Sequence, residues 1–202
     1  TVIKLRGFTA GRAIDGINAI STFTSYEPDF AIFDRLEIVQ GPSSVVYGIS
    51  SPGGLVNYVT KGARQDTPSY VSARGGSWKS VRLEGQLAGA LDSNRNVRAL
   101  VLAAYDHGDS FINELSRNKK VIYGALDVDF TSTLSGFVHA GYERFKRTSF
   151  DGIPVYANGE PADVPRSFFL GSRDIAVTSK TFYATSNLRW APSSGFELTL
   201  KG

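Results

Sequence analysis

The sequence lacks cysteine and methionine altogether across its 202 residues. The missing cysteine is compatible with a protein that passes through an oxidising compartment without needing disulfides. Because methionine is absent, Thr1 is not a natural translation start, and we expect a mature chain or a fragment. No run of about 18 apolar residues occurs, which excludes a transmembrane helix.

Signals for nucleic-acid binding and for catalysis are also missing. The net charge is only +3, and no cluster of Lys and Arg with interleaved aromatics predicts a nucleic-acid partner. There is no phosphate-binding P-loop and no G-x-G-x-x-G. The run Ser50-Ser51-Pro52-Gly53 breaks the order of a nucleophile elbow. The sequence therefore predicts no enzyme, no catalytic residue and no cofactor.

What is present is a β-rich composition with strict alternation from about Ser69 onward. Glycine occurs 21 times and aromatic residues make up 12% of the chain, which fits a β protein. In four segments one face is apolar while the other carries charged and amide groups. The apolar faces are Val81, Leu83, Gly85, Leu87, Gly89 and Leu91; Ile122, Gly124, Leu126, Val128 and Phe130; Leu134, Gly136, Val138, Ala140 and Tyr142; and Phe182, Ala184, Ser186, Leu188 and Trp190. A fifth segment, 97–105, fits less cleanly because Leu100 and Leu102 lie on the opposite face.

This alternation suits a transmembrane β-barrel with a polar lumen and aromatic girdles, or a soluble β-sandwich. Two features favour the barrel. The runs extend over roughly ten to fourteen residues, as tilted membrane strands require. The connections also alternate between tight turns at 92–95, 131–133 and 191–195 and long loops at 109–119 and 148–179, as in outer-membrane barrels.

The first third of the chain has a different pattern, centred on Asp34 to Arg64. Leu36, Ile38 and Val39 form one strand-like run, and Leu55, Val56, Tyr58 and Val59 form a second. Between them lie Gly41-Pro42, Gly48 and Ser50-Ser51-Pro52-Gly53-Gly54, which predict a compact, turn-rich shape. Residues 42–47 can hold one short helical turn that ends at Gly48.

This segment, DRLEIVQGPSSVVYGISSPGGLVNYVTKGAR, resembles the C-terminal half of the plug domain of TonB-dependent outer-membrane receptors, especially the siderophore receptors. The family reads approximately RVEVLRGPASVLYGQGSPGGLVNLVSKRP here. The resemblance implies the C-terminal part of a plug at 1–66 and the truncated N-terminal strands of a barrel at 67–202, with the boundary near Asp66-Thr67-Pro68. Only seven strands fit into 67–202, whereas such transporters close with about twenty-two. We therefore expect a fragment of an all-β protein.

The resemblance also implies ligand-binding candidates in the upper plug. Arg6 lies in Leu5-Arg6-Gly7-Phe8, which resembles the family's IRGF, and its guanidinium suits an anionic metal chelate. Phe23 and Tyr26 fall in an apical plug loop, and Tyr47 matches a plug aromatic that can face the ligand chamber. The alternatives are a salt bridge from plug to barrel for Arg6 and plain packing for the three aromatics.

Other residues have structural interpretations. Arg35 and Glu37 match the charged pair of RVEV and are implied to anchor the plug to the barrel wall. Gln40 departs from the family's arginine, and Asp15 is interpreted as a turn former. His107 and His139 are isolated from any partner at metal-ligand spacing, so we predict no metal site and interpret both as ordinary barrel or rim residues.

The function that the resemblance implies is import of ferric siderophores across the bacterial outer membrane, energised by TonB. The implied partners are a ferric siderophore, TonB and outer-membrane lipid; nucleic acid is not among them. Iron arrives as the ligand's chelate, so no cofactor is expected. The alternatives are import of a vitamin or carbohydrate, and passive diffusion through a porin. The first 66 residues argue against the porin, which has no need of a folded N-terminal insert.

Overall fold

The computed structural model describes residues 3–18, 28–40, 52–172 and 175–202. Nearly all of the regular structure in these residues is β, the exception being one 3₁₀-helix at Phe30–Ile32. No helix in the described ranges is long and apolar enough to cross a membrane. The helical turn predicted at 42–47 lies outside the described residues.

A small four-stranded sheet, here called the N-terminal sheet, holds the first part of the chain. Its strand order is β4-β3-β6-β5, and it is preceded by a two-stranded hairpin of β1 and β2. The bounds are β1 Lys4–Leu5, β2 Phe8–Thr9, β3 Gly11–Ile14, β4 Ile17–Asn18, β5 Phe33–Gln40 and β6 Gly54–Thr60. The strands β5 and β6 coincide with the two predicted apolar runs, so that prediction is confirmed.

Strand directions give the N-terminal sheet two distinct ends. β3 and β6 are parallel, while β4 and β5 run antiparallel to their neighbours. The start of β3 and the ends of β4 and β5 therefore lie at one end of the sheet, which we call the upper end, and the β1–β2 hairpin precedes β3 there. The opposite, lower end carries the Asp15-Gly16 turn and the exit from Thr60 toward the rest of the chain.

The remaining strands form one seven-stranded sheet in which every strand pairs antiparallel with its neighbour in sequence. One continuous sheet, rather than two sheets packed face to face, agrees with the barrel prediction and not with the sandwich. The bounds are β7 Tyr70–Gly76, β8 Ser80–Ala90, β9 Val97–Asp109, β10 Ser116–Asp129, β11 Leu134–Thr148, β12 Ala176–Ser193 and β13 Phe196–Lys201.

The two faces of the seven-stranded sheet separate as predicted. Val138 and Phe182 are 55% and 71% exposed on the outward face, and Leu87 and Leu126 are exposed beside them. The inward face packs on the N-terminal sheet. This explains why Leu100 and Leu102 interrupt the alternation of β9. Both are buried, at 1% and 0% exposure, against apolar residues of the N-terminal sheet.

Gln86 shows the same effect for a polar residue. The alternation of β8 puts Gln86 on the polar face, which the barrel prediction turns toward a polar lumen, but the structure covers this side chain with protein. Gln86 is buried, donates to the Pro68 carbonyl at 2.7 Å and accepts from Lys61 Nζ at 3.0 Å. The inward face here is filled by protein rather than by water.

Long and short connections lie at opposite ends of the seven-stranded sheet. The long-loop end carries the turn at 77–79 and the loops at 110–115 and 149–175, which contact one another. Asn113 N donates to Ser167 O at 3.0 Å, the Arg166 guanidinium lies 4.6 Å from the Phe111 ring centroid, and the Trp78 and Phe111 centroids are 6.2 Å apart. Since Thr60 leads into β7 from the short-turn end, the upper end of the N-terminal sheet points toward the long loops.

We expect Gly53→Ala to displace the β1–β2 hairpin. An ideal Cβ at Gly53 would lie 2.6 Å from the Leu5 carbonyl oxygen and 3.0 Å from Phe8 Cβ, so backbone must shift, at a cost of about 1–3 kcal/mol. Tryptic cleavage after Arg6 in the full-length protein should become faster. Gly89→Ala, whose Cβ meets nothing within 4 Å, is the matched control. Equal cleavage rates in both variants would contradict the close approach at Gly53.

Candidate functional site

The interface between the N-terminal sheet and the seven-stranded sheet is the most structured site in the described residues. A single hydrophobic cluster crosses it. The 3₁₀-helix contributes Ile32, the N-terminal sheet contributes Phe33, Val56 and Tyr58, and the seven-stranded sheet contributes Leu100, Leu102, Val121 and Tyr123. Around this cluster, buried polar and charged side chains pair across the interface. They form two groups that contact β11 at different positions along its length.

The first group, here called the Asp29 cluster, consists of Asp29, Arg82, Glu84, Lys119 and Glu143. Asp29 caps the 3₁₀-helix by accepting from Ala31 N, and its carboxylate accepts from both terminal nitrogens of Arg82 at 2.8 and 3.0 Å. Its backbone N donates to both oxygens of Glu143, at 2.9 and 3.1 Å. Asp29 and Glu143 are 5% and 0% exposed. Asp29, which lies just before the 3₁₀-helix and β5, is thus held by residues of β8, β10 and β11.

Ion pairing keeps Asp29 charged despite its position. Burial opposes ionisation, but hydrogen bonds from Arg82 and Ala31 N and the charges of Lys119 and Arg82 outweigh it, so the pKa of Asp29 lies below its ordinary value of 3.8. Lys119 Nζ lies 3.6 Å from the carboxylate. Arg82 also binds Glu84, at 2.6 Å. The cluster is therefore a compensated buried network rather than an isolated charge.

A polar cavity of about 430 Å³ opens beside the Asp29 cluster. Four cationic side chains and two carboxylates line it: Lys61, Arg74, Arg82, Lys119, Asp29 and Glu84. Burial lowers the pKa of Lys61, against the raising effects of Glu84 and Asp34. The excess of positive charge favours the binding of anions in this cavity.

The second group, here called the His139 cluster, lies lower on the interface and joins Asp15, Thr60, Asp127, His139 and Thr185. Asp15 accepts from Thr60 N at 2.9 Å and Thr60 Oγ1 at 2.7 Å. Across the interface, Thr185 Oγ1 donates to Asp15 at 2.9 Å and His139 Nδ1 lies 2.7 Å from Thr60 Oγ1. His139 Nε2 is 3.5 Å from Asp127, whose carboxylate also accepts from Ala63 N at 2.7 Å.

Two sequence interpretations change with this geometry. His139, which we interpreted as an ordinary barrel or rim residue, lies within β11 rather than at its rim, but it is 4% exposed and contacts both sheets. Asp15 does form a turn, with Gly16, at φ of 48° and 82°, but its carboxylate also contacts the seven-stranded sheet through Thr185. In the described residues no group of three His, Cys, Asp or Glu side chains could hold a metal ion.

The arrangement favours one docked geometry of the N-terminal sheet on the seven-stranded sheet. Desolvation of buried ion pairs offsets much of their attraction, so such pairs add little net stability while strongly favouring one geometry. Glu143, His139 and Asp127 lie at successive depths on two adjacent strands, so the N-terminal sheet is held along its height.

The structure describes three of the predicted site residues. Arg6 is exposed in the β1–β2 turn, where Arg6 and Gly7 have φ of 53° and 83°, a two-residue turn at the upper end. Arg35 binds Glu37 at 2.7 Å and Asp34 at 3.0 Å, and Asn57 donates to Glu37. These contacts lie within the N-terminal sheet and its flanks, and anchoring of the barrel wall by Arg35 and Glu37 stays a prediction. Phe23, Tyr26 and Tyr47 lie outside the described residues.

Sequence reasoning missed Asp29, Arg82 and Glu143. Asp29 and Glu143 are 114 residues apart, and no local pattern links them. The sequence signal for this cluster was weak. It consisted of charged residues at inward positions of β8 and β11, and a water-filled lumen would accept charged residues at the same positions.

We expect acid to weaken docking of the N-terminal sheet. Because the pKa of Asp29 is lowered below 3.8, its contribution is complete above that value and is lost as pH falls through the lowered pKa. Calorimetry of the full-length protein should show an unchanged docking transition between about pH 7 and 5 and a lower transition temperature near pH 3. Asp29→Asn should shrink this difference. An equal pH response in the variant would assign the effect to other carboxylates.

Comparisons with known proteins agree with this geometry. Residues 1–55 match the family model described as the TonB-dependent Receptor Plug Domain. The chain is 29% identical over 159 residues to the ferric-pyoverdine 358 receptor of Pseudomonas putida, covering 76% of this chain and 19% of that protein. It is 30% identical over 178 residues to the ferripyoverdine receptor of Pseudomonas aeruginosa, covering 83% and 22%.

A solved structure extends the agreement to the fold. The crystal structure of the Pseudomonas aeruginosa ferripyoverdine receptor bound to ferripyoverdine superimposes with a TM-score of 0.83 at 28% identity, covering 94% of this chain and 26% of that one. The chain thus spans about a fifth of the length of the curated relatives, at 19% and 22%. It belongs to the TonB-dependent receptors, a family of outer-membrane β-barrel receptors rather than enzymes, and it carries part of the plug followed by seven barrel strands.

Proposed function

We propose that this chain is part of a receptor that imports ferric siderophores through the outer membrane, powered by TonB. The observation that carries the proposal is the N-terminal sheet docked on the inward face of the barrel strands through the Asp29 and His139 clusters. A folded insert held by compensated polar contacts closes the lumen and can be released when work is done on it. The boundary between plug and barrel at 66/67 is part of this proposal.

The docked sheet favours an energised importer over a passive porin. An open diffusion pore needs a water-filled lumen, whereas Leu100 and Leu102 are buried in one cluster with residues of the N-terminal sheet, and Gln86 is buried against Lys61 and Pro68. Passage of a large solute requires that this sheet move or unfold, and movement against a buried network requires an energy source. TonB is the partner that the family's name specifies.

The ferric siderophore is the ligand class that the relatives support best. Two relatives that are 29% and 30% identical are named as ferric-pyoverdine receptors. The cationic cavity beside Asp29 also suits an anionic chelate better than a neutral sugar. The iron belongs to the ligand, and we propose no cofactor for the protein itself.

We place ligand recognition at the upper end of the plug, facing the long loops. Arg6 lies in the hairpin there, and the segments that contain Phe23, Tyr26 and Tyr47 connect to strand ends at the same end. A guanidinium and aromatic rings suit an anionic, partly aromatic chelate.

We expect the quadruple variant Arg6→Ala, Phe23→Ala, Tyr26→Ala and Tyr47→Ala to bind ferric siderophore at least ~10-fold more weakly, since lost charge-assisted and stacking contacts are each worth about 1 kcal/mol or more. Binding of ⁵⁵Fe-loaded pyoverdines, hydroxamates and catecholates to iron-limited cells expressing the full-length receptor is the measurement. Receptor abundance is checked in parallel. Arg95→Ala, in a short turn at the opposite end, is the control. Unchanged affinity at normal abundance would assign the four residues to packing; absence of binding by any ferric chelate would refute the ligand class.

A further inference from the structure

A row of basic side chains crosses the outward face of three adjacent strands. Lys120 on β10 lies opposite Arg144 on β11, and Arg144 lies opposite Lys180 on β12. All three have the same parity as the lipid-facing residues Ile122 and Phe182, and all are exposed. Lys146, the next outward residue on β11, adds a fourth cation above the row.

This row lies just beyond the apolar band. Directly below it, Ile122, Tyr142 and Phe182 form the neighbouring row in the same register. From Leu134 to Tyr142 the outward residues of β11 are uncharged. At about 3.4 Å per residue and a tilt of about 45°, this stretch covers roughly 20 Å of membrane, close to the apolar band of about 25 Å. Arg144 therefore lies at the headgroup level.

Placing these basic side chains next to one another is unfavourable unless an anion neutralises their charge. Like charges at directly opposite positions of paired strands repel, and within the described part of the chain none of Lys120, Arg144, Lys146 and Lys180 forms an ion pair. The outward acid on the neighbouring strand, Asp109, is already paired with Lys79 at 3.4 Å. The face thus presents unneutralised positive charge beside lipid.

The charge is confined to one end of the sheet. At the short-turn end, the outward residues that border the apolar band are uncharged: Leu91, Val97, Leu134 and Trp190. The basic row lies at the long-loop end, which faces the cell exterior in this family. An anionic partner is therefore a component of the outer leaflet.

We propose that Lys120, Arg144 and Lys180, with Lys146 above them, bind the phosphate groups of an outer-leaflet glycolipid headgroup. Strands lie about 4.8 Å apart, so the row spans roughly 10 Å and can contact more than one phosphate oxygen. Arg144 provides the bidentate donor and the flanking lysines provide point charges. The acyl chains lie against Ile122, Tyr142 and Phe182. This site is independent of which ligand the receptor imports.

The test is native mass spectrometry of the detergent-solubilised full-length receptor, titrated with bis-phosphorylated lipid A. Each Lys or Arg near an anionic membrane surface contributes roughly a factor of five in affinity. The triple variant Lys120→Gln, Arg144→Gln and Lys180→Gln should therefore bind roughly 100-fold more weakly. Dephosphorylated lipid A should bind the unmodified receptor as weakly as lipid A binds the triple variant.

The control removes three cations elsewhere: Lys4→Gln, Arg95→Gln and Arg147→Gln, none of which lies on the outward row. Circular dichroism verifies that both triple variants retain their β structure; if the first does not, Arg144→Gln alone is titrated, with an expected loss of about fivefold. Affinity that is unchanged in the row variants, reduced equally by the control, or insensitive to the lipid's phosphates would overturn the proposal.

Discussion

Replacing Asp29 by alanine is expected to weaken docking of the plug by about 3–5 kcal/mol, the range for removing one partner of a buried ion pair. The carboxylate is 5% exposed and accepts two hydrogen bonds from Arg82, so its loss removes these two charge-assisted bonds and the carboxylate that lies 3.6 Å from Lys119 Nζ. The cap of the 3₁₀-helix at Ala31 N is lost as well. Scanning calorimetry of the full-length receptor should show a lower docking transition temperature.

Asp66→Ala is the matched control, since Asp66 is an exposed residue of the same type in the same part of the chain. Its effect should stay within about 0.5 kcal/mol, as for most surface substitutions. If Asp29→Ala and Asp66→Ala shift the transition equally, the Asp29 cluster does not hold the plug in place.

Arginine on the lipid face should produce the second large effect. Leu126 and Val138 pair across β10 and β11 near mid-band and are 41% and 55% exposed on the outward face. Leu126→Arg or Val138→Arg should destabilise the membrane-inserted receptor by about 2–4 kcal/mol, because the charge must enter hydrocarbon. Equilibrium folding into lipid bilayers, followed by tryptophan fluorescence, measures this cost.

The control for the lipid face is Asn187→Arg, at nearly the same depth but on the inward face of β12, beside outward-facing Leu188. The guanidinium can reach polar groups inside, so we expect a much smaller loss. Equal losses from inward and outward arginines would mean that the two faces are assigned wrongly or that the sheet does not border lipid.

The seven-stranded sheet was predictable because its local pattern and its environment agree. Residues such as Leu83 and Leu87 on one face, with Arg82 and Glu84 on the other, require an apolar environment on one side of the sheet and a polar one on the other. Pairing with the sequence neighbour follows from the short turns. The alternation that begins at about Ser69 corresponds to β7, Tyr70–Gly76, in the structure.

The contacts between the plug and the seven-stranded sheet were not predictable, because the contacting residues are far apart in sequence. No local pattern shows what covers each inward-facing side chain. Leu100 and Leu102 conflict with the alternation of β9 until the plug supplies an apolar surface for them. His139 lacks any partner nearby in sequence, but its ring nitrogen lies 2.7 Å from Thr60, 79 residues away. Periodicity identifies which way a side chain faces, not what covers it.

The central claim is that the docked plug makes import energy-dependent. The most direct measurement compares binding and uptake of ⁵⁵Fe-loaded siderophore by cells that express the full-length receptor, with and without a functional TonB. We expect binding to persist without TonB while uptake falls to background. Uptake that continues unchanged without TonB would contradict it, because the plug would then not be closing the path.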